Sequence, residues 1–123
     1  MTIKTNVSWD QKSKAGGFSA ICNGKIVSGG LNNTTRQRCE LEAVIRIVSK
    51  LPVYAVRTDV QLGNPSRYLC NGIKNFRNYR SRGFITFGGQ EFANQDLWNQ
   101  LIKVGNSHNI KLIPPKSRET QDD

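Results

Sequence analysis

The sequence predicts an α/β domain with a mixed five-stranded sheet, an antiparallel meander followed by parallel strands, flanked by helices. Three observations carry that expectation. Runs of β-forming residues from Ile3 to Trp9, Gly17 to Cys22 and Lys25 to Ser28 are separated by turn residues, and Asn23-Gly24 is a strong hairpin signal. The stretch from Thr34 to Val48 places Leu41, Val44, Ile45 and Val48 on one helical face. The β-rich run Val53-Tyr54-Ala55-Val56-Arg57-Thr58 then follows a helix, and a crossover lays it parallel to the first strand.

Taken in order, Ile3 to Trp9 alternates apolar and polar residues as a half-buried strand does, and Gln11 to Gly17 turns the chain into the second run. Gly29-Gly30 leads out of the third strand. The hydroxyls of Thr34 and Thr35 stand where a helix N-cap is wanted, and Pro52, with no N–H to donate, stops the helix. The next strand ends at Asp59, which puts that carboxylate at the carboxyl end of a parallel strand, where active-site residues gather. Gly63-Asn64-Pro65 breaks the chain. Arg67 to Tyr79 is helical, with Leu69, Ile73 and Phe76 on one side and Lys74, Arg77, Arg80 and Arg82 forming a basic strip. Asn94 or Asp96 caps a further helix bearing Leu97, Trp98, Leu101, Ile102 and Val104, and Ile110 to Ile113 is a last strand closed by Pro114-Pro115. Residues 1–115 then form one domain, and 116–123 a flexible, charged tail.

Composition narrows the partner. Eighteen Lys and Arg against nine Asp and Glu leave a net charge of +9 and a pI near 9.9, which favours a polyanion, nucleic acid first, over a neutral metabolite. No stretch has the apolar length to span a bilayer and no helix is basic along a whole face, so a membrane partner is not expected. Cys22, Cys39 and Cys70 are odd in number, far apart and without a CxxC pair, which points away from a disulfide framework, a disulfide-linked partner or a zinc site. Met1-Thr2-Ile3-Lys4 has no apolar leader, so the expected setting is intracellular and cytoplasmic, with no signal peptide.

Glu40 is the residue that asks for an explanation. It is expected in the first turn of the helix, one position before the apolar stripe, so its carboxylate emerges beside the buried face. Two readings are open. It complements the positive end of the helix dipole, worth about 0.3–1 kcal/mol, or it joins a cluster of carboxylates from neighbouring strands.

Along nearly the whole chain the residues resemble type 1 ribonuclease H. Thr34-Thr35-Arg36-Gln37-Arg38-Cys39-Glu40-Leu41 is similar to that family's Thr-Thr-Asn-Asn-Arg-Met-Glu-Leu segment, and Arg57-Thr58-Asp59-Val60-Gln61 to its Ser-Thr-Asp-Ser-Gln. Gly16-Gly17-Phe18, Asn71-Gly72-Ile73, Arg82-Gly83-Phe84 and Asn94-Gln95-Asp96-Leu97-Trp98 resemble further segments in the same order. The resemblance implies a ribonuclease H-like fold and four carboxylates that hold two Mg ions, or Mn in their place, to cut the RNA strand of an RNA/DNA hybrid. Glu40 and Asp59 match the second and third carboxylates, and Asn6 stands where the first is an Asp. An Asn amide is neutral and offers one oxygen, so cleavage is expected to be impaired; the cofactor is Mg or Mn if the chain is active, with no cofactor as the alternative. Asp10 is a poor substitute, four residues beyond Asn6. Asp122 or Asp123, after Ile113-Pro114-Pro115, resembles the fourth carboxylate of shorter members, and His108 reads as a surface residue near a helix end.

The same resemblance implies that Thr35 binds a phosphate of the DNA strand, that Arg36, Gln37 and Gln61 hydrogen-bond in the minor groove, and that Lys74, Arg77, Arg80 and Arg82 grip the DNA backbone. Three functions are therefore in play. The first is an endonuclease with a damaged first ligand position, for which Asn6→Asp restores cutting. The second is a non-catalytic protein of the same fold that binds hybrid or double-stranded RNA. The third is a basic adaptor that docks on an acidic protein.

Overall fold

The computed structural model describes residues 1–81 and 94–115, with the side chains of 76–81 left aside. The chain runs β1 (Thr2–Trp9), β2 (Gly16–Cys22), β3 (Lys25–Leu31), α1 (Arg36–Lys50), β4 (Thr58–Leu62), α2 (Arg67–Ser81), α3 (Gln95–His108) and β5 (Ile110–Ile113). The five strands form one sheet in the order β3-β2-β1-β4-β5, with β1, β2 and β3 antiparallel and β4 parallel to both β1 and β5. The mixed sheet expected from the sequence is the one observed. Among the described residues no helix is long and apolar enough to cross a membrane.

α1 is the element that closes the core. It packs against β1, β2, β3 and α3, and its Leu41, Ala43, Val44, Ile47 and Val48 are fully buried with Ile3, Ala20, Val60 and Leu62 of the sheet. Thr35 is the N-cap, its hydroxyl accepting from the Arg38 N–H at 3.2 Å. The helix stops at Lys50, and Leu51 is extended, as the residue before a proline tends to be. Burial pushes the Cys22 and Cys39 thiols up, and all three cysteines are free and buried.

Three boundaries differ from expectation. β3 does not end before Gly29-Gly30 but continues to Leu31, because Gly29, Gly30 and Leu31 pair with Phe18, Gly17 and Gly16 of β2; Gly29 lies against the Phe18 ring and the Arg46 guanidinium, where a Cβ would meet both within 3 Å. Arg46 stacks on that ring with its guanidinium carbon 4.9 Å from the centroid. Asn94 precedes α3 in a left-handed conformation and makes no side-chain cap; its amide instead joins Arg38 and the Tyr68 hydroxyl. The third difference matters most. The fourth strand is Thr58–Leu62, not Val53–Thr58, because Val60 and Leu62 enter the core while Val53 and Val56 stay 67% and 72% exposed. β propensity alone did not find them a partner strand.

Candidate functional site

β4 meets β1 with Thr2 opposite Gln61 and Ile3 opposite Leu62. Continuing that parallel register sets Thr5 level with Asn64 and Asn6 level with Pro65. The hydrogen bonds agree: the Thr5 N–H donates to Asn64 Oδ1 at 3.0 Å, and Asn64 Nδ2 donates to the Thr5 carbonyl at 2.8 Å. Asn64 thus carries the β1–β4 ladder past the end of the strand with a side-chain amide in place of a peptide.

Glu40 comes into the same place from α1. It is 6% exposed, in the second turn rather than the first, since α1 begins at Arg36. Its carboxylate is fully engaged by one residue: the Ser66 N–H donates to Oε2 at 2.8 Å and the Ser66 hydroxyl donates to Oε1 at 2.5 Å. Ser66 in turn caps α2, its oxygen accepting from the Leu69 N–H at 3.1 Å. The dipole explanation for Glu40 gives way to a more specific one. Its charge ties α1 to the start of α2 through two charge-assisted hydrogen bonds.

Around these groups lies a cavity of about 270 Å³ lined by Thr5, Asn6, Val7, Arg36, Glu40, Asn64 and Ser66. Asn6 and Glu40 are therefore brought together as the sequence led us to expect. Asp59 is not. It is the second residue of β4, opposite Lys111, six residues before Pro65 and so about 20 Å along the strand from the level of Asn6 at ~3.3 Å per residue. Gln61 shares that displacement, because it sits within the sheet between Thr2 and Ile113. The strand begins five residues later than the run read as strand, and the motif residues moved from its carboxyl end to its start. Asp10 is likewise remote from the cavity. It lies past the end of β1, where the Ser13 hydroxyl at 2.8 Å and the Lys12 and Ser13 N–H groups at 3.3 Å hold its carboxyl below its ordinary value.

Of the positions expected to bind nucleic acid, Thr35, Arg36 and Gln37 are exposed at the start of α1, with Arg36 forming one wall of the cavity. Lys74 is exposed on α2 but borders a separate cavity of about 400 Å³ with Arg57, Ile73, Leu101 and Lys111. The side chains of Arg77 and Arg80, and Arg82, Asp122 and Asp123 altogether, fall outside the described residues. His108 is half-buried, not a plain surface residue; its Nδ1 lies 2.9 Å from the Leu51 carbonyl. The residues the sequence reading missed are Asn64 and Ser66. A serine directly before a helix at Arg67, after a Pro, is a start signal that would have ended the strand near Leu62.

These donors do not fit a pair of divalent ions. Such ions want several anionic oxygens, and here the Asn6 and Asn64 amides are neutral, Asn64 Oδ1 is engaged by Thr5, and both Glu40 oxygens are taken by Ser66. Among the described residues no group of three His, Cys, Asp or Glu could hold a metal.

A sheet ordered β3-β2-β1-β4-β5, α1 laid across it and a polar cavity where β4 ends define a domain of ribonuclease H fold. The profile of the RNase H family matches residues 1–115, and the chain belongs to that family. Over 100 residues it is 39% identical to a ribonuclease H of Pseudomonas fluorescens, a match covering 77% of this chain and 65% of that protein. A ribonuclease H of Francisella tularensis subsp. novicida is 35% identical over 100 residues, covering 77% and 64%. The chain thus spans just under two thirds of these relatives. Among solved structures, the foamy viral protease-reverse transcriptase in complex with dsDNA superposes with a TM-score of 0.68 at 16% identity, covering 98% of this chain and 83% of that one. The same protein in complex with RNA/DNA hybrid gives 0.67 at 19%, covering 98% and 18%.

Proposed function

We propose that this chain is a ribonuclease H-fold domain that binds a nucleic-acid duplex, RNA/DNA hybrid or double-stranded RNA, without metal-dependent cleavage of its own. The observation that carries the reading is that two neutral amides, Asn6 and Asn64, line the one cavity. The enzymes of this family generally use divalent ions held by carboxylates, and here two neighbouring levels of β1 and β4 carry amides, one of them fastened to the Thr5 backbone. Impairment at Asn6 alone would be a single lost ligand; with Asn64 beside it and Asp59 remote, the described residues do not give the cavity the charge to hold Mg or Mn.

Binding draws support from elsewhere. The net charge of +9 favours contact with phosphates, and Thr35, Arg36 and Gln37 present hydroxyl, guanidinium and amide donors from one helix start. The relatives named ribonuclease H, and the foamy viral neighbour solved on dsDNA and on hybrid, favour a duplex over a single strand as the ligand.

The test is a gel-shift titration of labelled hybrid, double-stranded RNA and double-stranded DNA, in EDTA and in Mg, beside a cleavage assay. Binding that is equal in EDTA and in Mg and weakens steeply with salt is the expected result. Mg-dependent cutting of the hybrid by the chain as it stands would overturn the reading.

A further inference from the structure

The cavity beside Asn6 presents a guanidinium and an amide that nothing else among the described residues engages. Arg36 forms no ion pair among the described residues, where the two present are Arg38–Asp96 and Arg46–Glu42. Asn6 is exposed and its amide has no hydrogen-bond partner among them. Each Glu40 oxygen accepts one hydrogen bond from Ser66, and Asn64 Oδ1 accepts one from the Thr5 N–H. Open to a ligand are the Arg36 guanidinium and the Asn6 amide, which can turn its NH₂ toward an anion, across a space of about 270 Å³, room for a phosphate group with its sugar neighbours at the mouth.

We infer that this cavity is a metal-free phosphodiester seat, in which the Arg36 guanidinium and the Asn6 amide bind the non-bridging oxygens of one backbone phosphate directly. The inference rests on the duplex-binding reading above and adds the place and chemistry of one contact. A planar guanidinium matches two phosphate oxygens at once. With a neutral Asn6, the phosphate approaches a wall whose one carboxylate, Glu40, is 6% exposed and hydrogen-bonded to Ser66. An Asp at residue 6 would reverse this by setting a second anion against the phosphate.

The experiment is fluorescence anisotropy of a labelled hybrid with the full chain over a range of salt, in EDTA and in Mg, for the chain as it stands and for Arg36→Ala and Asn6→Asp. Both side chains are exposed, and thermal melts confirm that each variant folds. Arg36→Ala should weaken binding about tenfold and lower the salt slope by about one. Asn6→Asp should weaken binding about as much in EDTA, and Mg should not restore it. Three results would tell against the inference in distinguishable ways. Tighter binding of Asn6→Asp in Mg than in EDTA makes the cavity a metal site that lacks one ligand. Unchanged binding by both variants removes the phosphate seat and leaves the duplex-binding reading standing. If the unaltered chain binds no duplex, both readings fall together.

Discussion

Asn64 grips the backbone of Thr5 by both ends of its amide, accepting from the Thr5 N–H at 3.0 Å and donating to the Thr5 carbonyl at 2.8 Å. Only a side chain with one donor and one acceptor does this. A carboxylate there keeps the first bond and sets an anion against a carbonyl in the second. The residue level with Thr5, one step from the level of Asn6, is thus committed to holding the sheet together.

Changing Asn6→Asp alone should therefore leave the chain unable to cut hybrid in Mg or Mn, and its melting temperature should not move when Mg replaces EDTA, since a ligand stabilises only what it binds. Asn64→Asp should cost about 1 kcal/mol through the lost bond to Thr5, the usual worth of an exposed hydrogen bond. A cleavage gel and paired thermal melts check both. Efficient cutting by the Asn6→Asp chain would show that carboxylates outside the described residues complete the site.

The start of α3 is held to α1 by Arg38, whose Nη1 and Nη2 donate to Asp96 at 3.1 and 2.8 Å. The Arg38 hydrogen bonds keep the Asp96 carboxyl below its ordinary value of 3.8. A carboxylate with a depressed folded-state pKa contributes stability that is fully present above its unfolded pKa and is lost as pH falls through the folded one. The stability difference between the chain and Asp96→Asn should be constant above about pH 5 and shrink below pH 4. It should not exceed about 1 kcal/mol, because the Asp96 side chain is 58% exposed and solvent screens the pair. Urea titrations at several pH values measure it.

The parts of the fold that depend on neighbours in sequence were legible. Asn23-Gly24 turns β2 into β3, Thr35 caps α1, and of the expected stripe Leu41, Val44 and Val48 are buried with Ile45 partly so. The site was legible only where it rests on such local signals, which is why Glu40 and Asn6 do meet. Asp59 failed because the choice between Val53–Thr58 and Thr58–Leu62 as the strand is made by pairing with Thr2, Ile3 and β5, contacts remote in sequence. Arg57-Thr58-Asp59 matched a family motif in letters, and the register decided otherwise. Asn64 hid in Gly63-Asn64-Pro65, which reads as an ordinary turn.

Gly72 on α2 lies against the Trp98 ring, so a Cβ there would collide with it. Trp98 is fully buried and donates to the Tyr68 hydroxyl at 2.9 Å, and so has little freedom to yield. Gly72→Ala should destabilise the chain by about 1–3 kcal/mol, the usual cost of overpacking, although alanine is the better helix former. Chemical denaturation gives the loss, and a changed tryptophan emission locates it. A more stable Gly72→Ala chain would mean that α2 and α3 separate easily.

Glu40 and Ser66 offer the sharpest separation of a structural from a catalytic role. If Glu40 serves to fasten α2, Glu40→Gln removes a charge from two short hydrogen bonds and turns an NH₂ toward a donor, costing about 2 kcal/mol. Ser66→Ala loses the bond to Glu40 and the cap on the Leu69 N–H, with a similar loss of about 2 kcal/mol. Because the two residues share one interaction, the double variant should lose less than the sum, with a coupling of about 1 kcal/mol or more. Four urea curves complete the cycle. Additive losses would show that the two side chains act independently and that the carboxylate is free to serve a ligand; a coupled result accounts for a buried acid without asking it to hold a metal.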